Sequence, residues 1–327
     1  MMPAILLCFV ISFFVVLLLT SYLIRYLRRT GLCVKDQNKE NLPLVPISGG
    51  MAVLTGIFVG FMCYVFIQTF FYGSNSYLLE IFAATISISI ITFVGFMDDI
   101  IIKKSQYESG GLKQWQKPIL TLSAAIPLLV INSGVAEMVV PFLGKVNFGL
   151  FYPLLLIPVG VVGAANMVNM LGGFNGLETG MGLVYTGMLG AYAYVNHRPV
   201  AALIALLTFG ALLAFFKYNK FPAKILPGDS LTYLLGAVLV SIAILGNLEK
   251  AAVIVSIPFF VEFILKLRGK FKKKTIGYCK DGKLFSKYNK IYSLPHIFTR
   301  TGRYTEKQVV FFIVLIELFF SSLIWFV

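Results

Sequence analysis

Residues 79–99 read LEIFAATISISIITFVGFMDD, and this stretch decides the class of fold. Apart from Glu80 the first part is uncharged and mostly apolar, and it is long enough for one helix to cross a hydrocarbon core of about 30 Å. Two adjacent carboxylates, Asp98 and Asp99, then end the apolar run. A membrane span that ends at two aspartates predicts a membrane protein with a polar site at one face.

The rest of the chain repeats this pattern of apolar spans and short polar breaks. It is 58% hydrophobic and only 13% charged, which excludes an ordinary soluble domain. We predict an all-α polytopic membrane protein of about ten transmembrane helices, with cytoplasmic active-site loops, small β-hairpins in loops and a single domain over residues 1–327. The predicted spans are 3–24, 50–72, 79–97, 118–132, 150–165, 178–195, 199–216, 231–247, 251–267 and 308–326.

Two turn signals predict the hairpins. Leu143-Gly144 separates Met138–Phe142 from 145–148 in an outer loop. Asp281-Gly282 does the same in the longest inner loop, residues 268–307, because this dipeptide favours a two-residue hairpin turn.

Lysine and arginine give the orientation, since they favour the cytoplasmic ends of spans. Alternate breaks collect 25 of the chain's 28 basic residues on one side, and the other side holds Lys145, Arg198 and Lys250. We therefore predict an integral membrane protein, of the cell membrane if the cell is prokaryotic, with both termini outside. The net charge of +14 lies mostly beside the membrane, which favours anionic lipid headgroups and phosphorylated substrates over nucleic acid.

The aspartates are sorted to one side as well. All five fall in breaks on the basic side, whereas the glutamates fall on both sides and within spans. The positive-inside rule hardly governs aspartate, so this sorting is a separate sign that the chemistry lies on the basic face. The five are Asp36, Asp98, Asp99, Asp229 and Asp281.

The Asp98-Asp99 pair is the first of three polar constellations. At a helix C-terminus each carboxylate meets partial negative charge, which costs roughly 0.3 to 1 kcal/mol. Adjacent helical residues also point about 100° apart. The two aspartates are therefore predicted to have different partners, one facing a metal or phosphate and the other a nucleophile or cation.

The second constellation is the break 165–180, which reads ANMVNMLGGFNGLETG. Asn166 and Asn169 share one face of a helix end, and the glycines allow a ligand to approach the backbone closely. Side-chain amides can ligate a metal or recognise a base. A plain turn between two helices explains the same local pattern.

The third constellation is Pro227-Gly228-Asp229-Ser230, which opens the eighth span. Aspartate and serine are good N-cap residues, and capping is a sufficient local explanation. A helix N-terminus also attracts anions, so a metal beside a diphosphate is a second explanation. Mg²⁺ needs only one or two protein oxygens when substrate phosphates supply others.

At these residues the chain resembles the polyprenyl-phosphate N-acetylhexosamine-1-phosphate transferases, glycosyltransferase family 4. The resemblance covers nearly the whole chain, and it is specific because the three motifs occur in order and on one face. Bacterial members usually have aspartates where this chain has Gly172 and Asn175, and a multi-histidine cluster where it has only His296. The first inner loop, residues 31–39, is closer to the branch that loads N-acetylglucosamine phosphate onto dolichyl phosphate, and the short ninth loop favours an archaeal protein.

The resemblance implies transfer of N-acetylglucosamine-1-phosphate from UDP-N-acetylglucosamine to a polyprenyl (dolichyl) phosphate, the first step of lipid-linked oligosaccharide assembly for N-glycosylation. It implies Mg²⁺, with Mn²⁺ as a substitute, held by Asn169 and Asp229. It also implies that Asp98 positions or deprotonates the lipid phosphate, that Asp99 supports this network and that Lys117 meets phosphate. Direct attack by the lipid phosphate is favoured over an aspartyl-phosphate intermediate.

The resemblance further implies a substrate-binding set. Asn175 is expected to recognise the uracil and Asn166 to support the metal site, while Glu178 belongs to the set without a defined role. The candidates for the sugar and the diphosphate are His296, Arg300 and Arg303.

A membrane transporter with a polar site at the inner face is the alternative function. Glu262 and Glu317 lie within spans, and such carboxylates can mark an ion path. The chain lacks matched halves, however, and its aspartates cluster at the face, which favours an interfacial enzyme. Gly56-x-x-x-Gly60 favours close helix packing and leaves a homodimer open.

Overall fold

The computed structural model describes residues 2–104, 111–131, 137–140 and 144–326, and this part of the chain is mostly helical. Its helices are α1 (Met2–Thr30), α2 (Gly50–Phe71), α3 (Leu78–Lys104), α4 (Gln116–Leu122), α5 (Ile126–Val130), α6 (Ile157–Met170), α7 (Leu177–Val195), α8 (Pro199–Asn219), α9 (Gly228–Gly246), α10 (Glu249–Val255), α11 (Ile257–Arg268), α12 (His296–Thr299) and α13 (Glu306–Ser322). The strands are β1 (Cys33–Lys35), β2 (Leu44–Pro46), β3 (Glu137–Val140), β4 (Gly144–Asn147), β5 (Tyr278–Lys280) and β6 (Lys283–Phe285).

The all-α polytopic fold class is confirmed. Seven helical stretches of the described part are long and apolar enough to span a bilayer, and each coincides with a predicted span. Two of them are longer than their α-helices, because a π-helical turn, Tyr152–Leu156, precedes α6 and a 3-10 turn, Leu323–Phe326, follows α13. The other three predicted spans are also helical, as α4 with α5, as α7, and as α10 with α11, which are divided at Ser256 before Pro258. Ten membrane crossings remain a prediction.

Several helices extend beyond the apolar runs that predicted them. α1 ends at Thr30 and α3 at Lys104, because lysine and arginine are good helix formers and continue the backbone hydrogen bonds past the apolar core.

The predicted small hairpins are confirmed, and the sheets are all antiparallel and two-stranded. β5 and β6 join at Asp281-Gly282, where both residues have positive φ angles of 50° and 72°, as this turn requires. β3 pairs with β4; of the predicted turn Leu143-Gly144, Leu143 lies outside the described residues and Gly144 begins β4. A further pair, β1 with β2, was not predicted.

Helix α9 forms the centre of the bundle, and 83% of its apolar membrane-spanning stretch is buried. It packs most extensively against α3 and α6. Glycines allow this approach: a Cβ on Gly236 would lie 2.5 Å from the Cα of Ala165, and a Cβ on Gly95 would overlap the carbonyl of Asp229. The close packing brings the ends of α3 and α6 to the start of α9.

The polar breaks predicted to share one face do meet at one end of the bundle. Leu226 N donates to Pro46 O at 2.8 Å, and Asn38 Nδ2 donates to Gly173 O at 2.6 Å. The hairpin of β5 and β6 joins them, because Gly282 N donates to Glu40 Oε1 at 3.1 Å. Segments distant in sequence thus build one polar end.

Candidate active site

The centre of the site is the ammonium group of Lys117, at the start of α4. Its Nζ lies 2.6 Å from Asp98 Oδ2 on α3 and 2.9 Å from Asp229 Oδ2 on α9. The side chain of Asp98 is fully buried and that of Asp229 is 20% exposed. Two carboxylates from two helices therefore share one cation at the edge of the protein interior.

Asp98 and Asp99 have different partners, as their helical geometry predicted. Asp98 Oδ1 accepts from Leu112 N at 2.5 Å, and its other oxygen meets Lys117. Asp99 Oδ1 accepts from Asp229 N at 2.7 Å, and Oδ2 accepts from Ser230 N at 3.3 Å. Asp99 thus holds the N-terminus of α9, while Asp98 faces the charged centre.

Asp98 and Asp99 were predicted to lie at a helix C-terminus, and the structure corrects this placement. α3 continues past Asp99 to Lys104, so the pair lies inside the helix and not at its C-terminus. The dipole effect falls off within the last turn. The energetic cost of the two carboxylates comes instead from burial, and Lys117 and the N–H groups of α9 offset it.

Asn169 joins the centre from the end of α6. Its Nδ2 donates to Asp229 Oδ2 at 3.2 Å, and its Oδ1 accepts from Thr232 Oγ1 at 2.9 Å. The N-cap explanation for Asp229 is not supported, because its carboxylate contacts Lys117 and Asn169, and α9 has no side-chain cap hydrogen bond.

A cavity of about 580 Å³ opens beside this centre. Asp229, Asn169 and Thr232 form a polar wall of this cavity. The opposite walls come from the first inner loop, with Val34 and Ile47, and from the glycine loop after α6. The cavity is of the size of ordinary ligand sites and has apolar walls around a few polar groups.

Glu178, in the first turn of α7, also lines this cavity, and it is only 6% exposed. Its Oε1 accepts from Gly173 N at 2.6 Å. Its Oε2 is buried without a hydrogen-bond partner. The structure therefore places Glu178 beside the cavity, and its membership of the substrate-binding set stays a prediction.

Asn166 contacts a different part of the site. Its Nδ2 donates to Val162 O at 2.8 Å and to Thr121 Oγ1 at 3.3 Å. The asparagine therefore links α6 to α4, the helix that carries Lys117, and none of its hydrogen bonds reaches Asp229.

Asn175 belongs to a second polar cluster that the sequence did not reveal. Its Nδ2 donates to Asp36 Oδ2 at 3.0 Å, its Oδ1 accepts from Ala223 N at 2.9 Å, and its backbone N donates to Glu306 Oε1 at 2.7 Å. Lys39 Nζ lies 3.2 Å from Asp36 Oδ2 and also pairs with Glu306 Oε2. We call Asp36, Lys39, Asn175 and Glu306 the Lys39 cluster. The only signal for it in the sequence was that Asp36 lies on the basic face with the other aspartates.

His296 is buried in the long inner loop. Its Nδ1 accepts from Tyr292 N at 3.2 Å, which leaves the proton on Nε2, 3.2 Å from Thr275 O. Burial and the nearby ammonium of Lys266 lower the pKa of His296. In this arrangement the imidazole holds the loop together, and both of its nitrogens have partners.

Arg300 and Arg303 are exposed. Within the described residues, no hydrogen bond or ion pair joins either guanidinium to Asp98, Asp229 or the Lys39 cluster. Both remain candidates for an anionic substrate group and are not part of the preformed centre.

The oxygen ligands present suit Mg²⁺ only when a substrate completes the shell. The described residues contain no group of three or more His, Cys, Asp or Glu side chains that could hold a metal. Asp229 and the amide of Asn169 could supply two oxygens beside the cavity, which is the number that Mg²⁺ uses when phosphates and water provide the others.

The chain is similar to known proteins over most of its length. A family model described as glycosyl transferase family 4 matches residues 81–247, which include Asp98, Lys117, Asn169 and Asp229. A protein of Saccharolobus solfataricus provisionally named UDP-N-acetylglucosamine–dolichyl-phosphate N-acetylglucosaminephosphotransferase is 38% identical over 94% of this chain and 91% of its own length. A protein of the same name from Sulfolobus acidocaldarius is 32% identical over 98% of this chain and 94% of its own length. A phospho-N-acetylmuramoyl-pentapeptide-transferase of Lactiplantibacillus plantarum is 30% identical over 77% of this chain and 78% of its own length.

Proposed function

Because the chain belongs to glycosyl transferase family 4, we propose that it transfers N-acetylglucosamine-1-phosphate from UDP-N-acetylglucosamine to a dolichyl or related polyprenyl phosphate. It is a multi-pass membrane enzyme, and the names of its two archaeal relatives supply the substrates. The observation that supports the reaction best is that Lys117 lies between Asp98 and Asp229, and that Asp229 lines the cavity.

The chemistry requires one phosphorus–oxygen bond to form and one to break. An oxygen of the lipid phosphate attacks the sugar-linked phosphorus of UDP-N-acetylglucosamine, and UMP departs with the bridging oxygen. Such transfers depend on positioning and charge neutralisation more than on covalent help. Lys117 neutralises phosphate charge, while Asp98 positions the lipid phosphate or takes its remaining proton, and Asp99 fixes the start of α9.

Mg²⁺, or Mn²⁺ in its place, would be held by Asp229 and Asn169 and would supply charge stabilisation to the diphosphate. Asn169 Oδ1 now accepts from Thr232, so ligation requires the amide to turn. The hydroxyl of Thr232 can then accept from the amide nitrogen, so the turn leaves neither group without a partner.

The remaining predicted binding residues divide into two groups. Asn166, Asn175 and His296 already have protein partners for their polar groups, so direct contact with substrate requires those bonds to be exchanged. Arg300 and Arg303 are exposed and need no such exchange. We propose that these arginines meet the sugar or diphosphate, and that Asn166 and Asn175 act by shaping the site.

We also propose that this end of the bundle faces the cytoplasm and that both termini lie outside. The basic residues beside the clustered breaks support this orientation.

The two glutamates that suggested a transporter, Glu262 and Glu317, have protein partners in the structure and no longer favour that function. Glu262 accepts from Ser293 Oγ and Leu294 N, each at 2.7 Å, and so fixes the long loop. Glu317 accepts from Ser321 on its own helix at 2.9 Å. Neither residue lines the cavity beside Asp229.

The test is release of UMP from UDP-N-acetylglucosamine by purified protein with polyprenyl phosphate and Mg²⁺. We expect release that requires both the lipid and the metal. Well-folded protein that releases no UMP with any UDP-sugar or polyprenyl phosphate would overturn the proposal.

A further inference from the structure

Buried carboxylate oxygens without a hydrogen-bond partner occur at three residues of the described part of the chain: Asp98, Glu178 and Glu317. The oxygen of Asp98 meets the ammonium of Lys117. The other two have no such cation, and they differ in their surroundings, because Glu178 lines the cavity and Glu317 does not. Glu178 is therefore the one of these two glutamates that combines an unused acceptor with a place in the cavity wall.

The carboxylate of Glu178 is fixed in place by its other oxygen. Oε1 accepts from Gly173 N at 2.6 Å, which ties the side chain to the glycine loop. In its ionised form this carboxylate only accepts hydrogen bonds, and the partner of Oε2 is then an N–H or O–H group. A phosphate of the substrate presents none and would be repelled.

We propose that Glu178 Oε2 accepts a hydrogen bond from a neutral donor of the UDP-sugar and thereby positions it in the cavity. The donor is a hydroxyl or imide N–H of the uridine, or a hydroxyl or amide N–H of the N-acetylhexosamine. The inference rests on the proposed function, because it assumes that the nucleotide sugar occupies this cavity.

Gly172 lies close to the carboxylate of Glu178, and this closeness allows a second test of the proposal. A Cβ on Gly172 would lie 2.6 Å from Glu178 Oε1 and 3.3 Å from its Cδ. Gly172 does not have a left-handed φ angle, so an L-residue fits its backbone. An aspartate at residue 172 would therefore compete with Glu178 for the same place, and this wall of the cavity accommodates one carboxylate.

The first experiment compares Glu178→Gln with Glu317→Gln. Both changes replace by an amide the carboxyl group of a buried glutamate that has one unpartnered oxygen, but only Glu178 lines the cavity. We expect KM for UDP-N-acetylglucosamine to rise about ten- to a hundredfold in Glu178→Gln, since a hydrogen bond to a charged group is lost. KM for the polyprenyl phosphate should stay unchanged, and Glu317→Gln should leave both KM values unchanged.

Competition by UMP identifies the source of the donor. If the uridine provides it, UMP inhibits Glu178→Gln more weakly than wild type by the same factor as the KM change. If the sugar provides it, UMP inhibits both proteins equally while KM still rises. Equal KM values in Glu178→Gln and wild type, or a change only in the Mg²⁺ concentration required, would overturn the inference.

The second experiment moves the carboxylate. We expect Glu178→Ala and Gly172→Asp each to raise KM for the nucleotide sugar, and the double variant to regain most of the loss. No recovery, with the double variant folded as judged by thermal unfolding, would overturn the view that one carboxylate serves this wall. Wild type that binds UMP but releases none from UDP-N-acetylglucosamine would instead count against the proposed function.

Discussion

Two lysines at the same end of the bundle each bridge two carboxylates, but their surroundings differ. Lys117 lies between Asp98 and Asp229, which belong to helices packed in the core. Lys39 lies between Asp36 and Glu306, which belong to a loop and to the first turn of α13. The same charge pattern thus occurs once among helices and once among loops.

The hydrogen bonds around each lysine indicate what the two clusters do. In the Lys39 cluster, both carboxylates also accept from Asn175, so the cluster ties the glycine loop in place. Around Lys117, Asp98 Oδ2 contacts the ammonium at 2.6 Å, and the side chain of Asp229, which is 20% exposed, lines the cavity. We infer that the partly exposed carboxylate of Asp229 marks the chemistry, and that the enclosed carboxylates of Asp36 and Glu306, which are 5% and 3% exposed, mark support.

Among the changes that test the difference between the two clusters, Asp229→Asn is expected to lower activity most. The change removes one partner of Lys117 and one proposed oxygen ligand for Mg²⁺. We expect UMP release to fall by about a thousandfold, because loss of one group that stabilises transition-state charge commonly has an effect of this size. The measurement is kcat/KM, with thermal unfolding as the check on folding. A loss no greater than that of Glu306→Gln would remove the distinction between the clusters.

Lys117→Met is expected to have the next largest effect. Asp98 and Asp229 would then be close together without their shared cation. We expect activity to fall by about a hundredfold and stability to fall by about 3 kcal/mol, because breaking a buried pair leaves an uncompensated charge. Lys117→Arg is the matched control and should retain more activity and most of the stability. Equal losses in both variants would show that the charge of Lys117 is not what the site uses.

The sequence could predict the Lys117 centre because its members lie in recognisable breaks. Asp98, Asn169 and Asp229 follow or precede apolar spans whose alternation places them on one face, and the structure brings them together. The Lys39 cluster was missed because Lys39 and Glu306 are 267 residues apart, and each resembles an ordinary charge in a solvated break. The end of α3 was also missed, because hydrophobic periodicity locates a span and not the polar turn that continues it.

Glu306→Gln should lower activity less. It also distinguishes residues that support the site from residues that take part in the reaction. The amide oxygen of the substituted side chain can still accept from Asn175 N, but the charge that pairs with Lys39 is gone. We expect KM for UDP-N-acetylglucosamine to rise by about tenfold with little change in kcat, since the loop shapes the cavity without contacting the reacting atoms. Lys307→Met is the matched control, because the ammonium groups of Lys39 and Lys307 both lie over the ring of Phe221 but Lys307 is exposed. A fall in kcat alone would place the Lys39 cluster in the chemistry.

A third pair, Lys266 with Glu262, extends the comparison to the long inner loop. Lys266 Nζ donates to Thr275 Oγ1 at 2.5 Å, and the carbonyl of Thr275 accepts from His296. This pair resembles the Lys39 cluster, because its polar groups are occupied by loop atoms. It should therefore support the loop, and the effect of changing it should appear in stability more than in chemistry.

His296 offers the smallest and most specific test of that view. Burial and Lys266 lower the pKa of this imidazole from its usual value of 6.5. Below about pH 6.5 the unfolded chain therefore binds a proton that the folded chain does not, so stability falls as the pH falls through this range. We expect His296→Gln to lower stability at pH 8 by about 1 kcal/mol and to flatten the decline between pH 7 and pH 5. Thermal unfolding across this pH range measures both effects, and an unchanged pH profile would mean that His296 is not held neutral by the loop. A loss of kcat in His296→Gln at pH 8, where the imidazole is neutral in either state, would instead place His296 among the residues that contact the substrate.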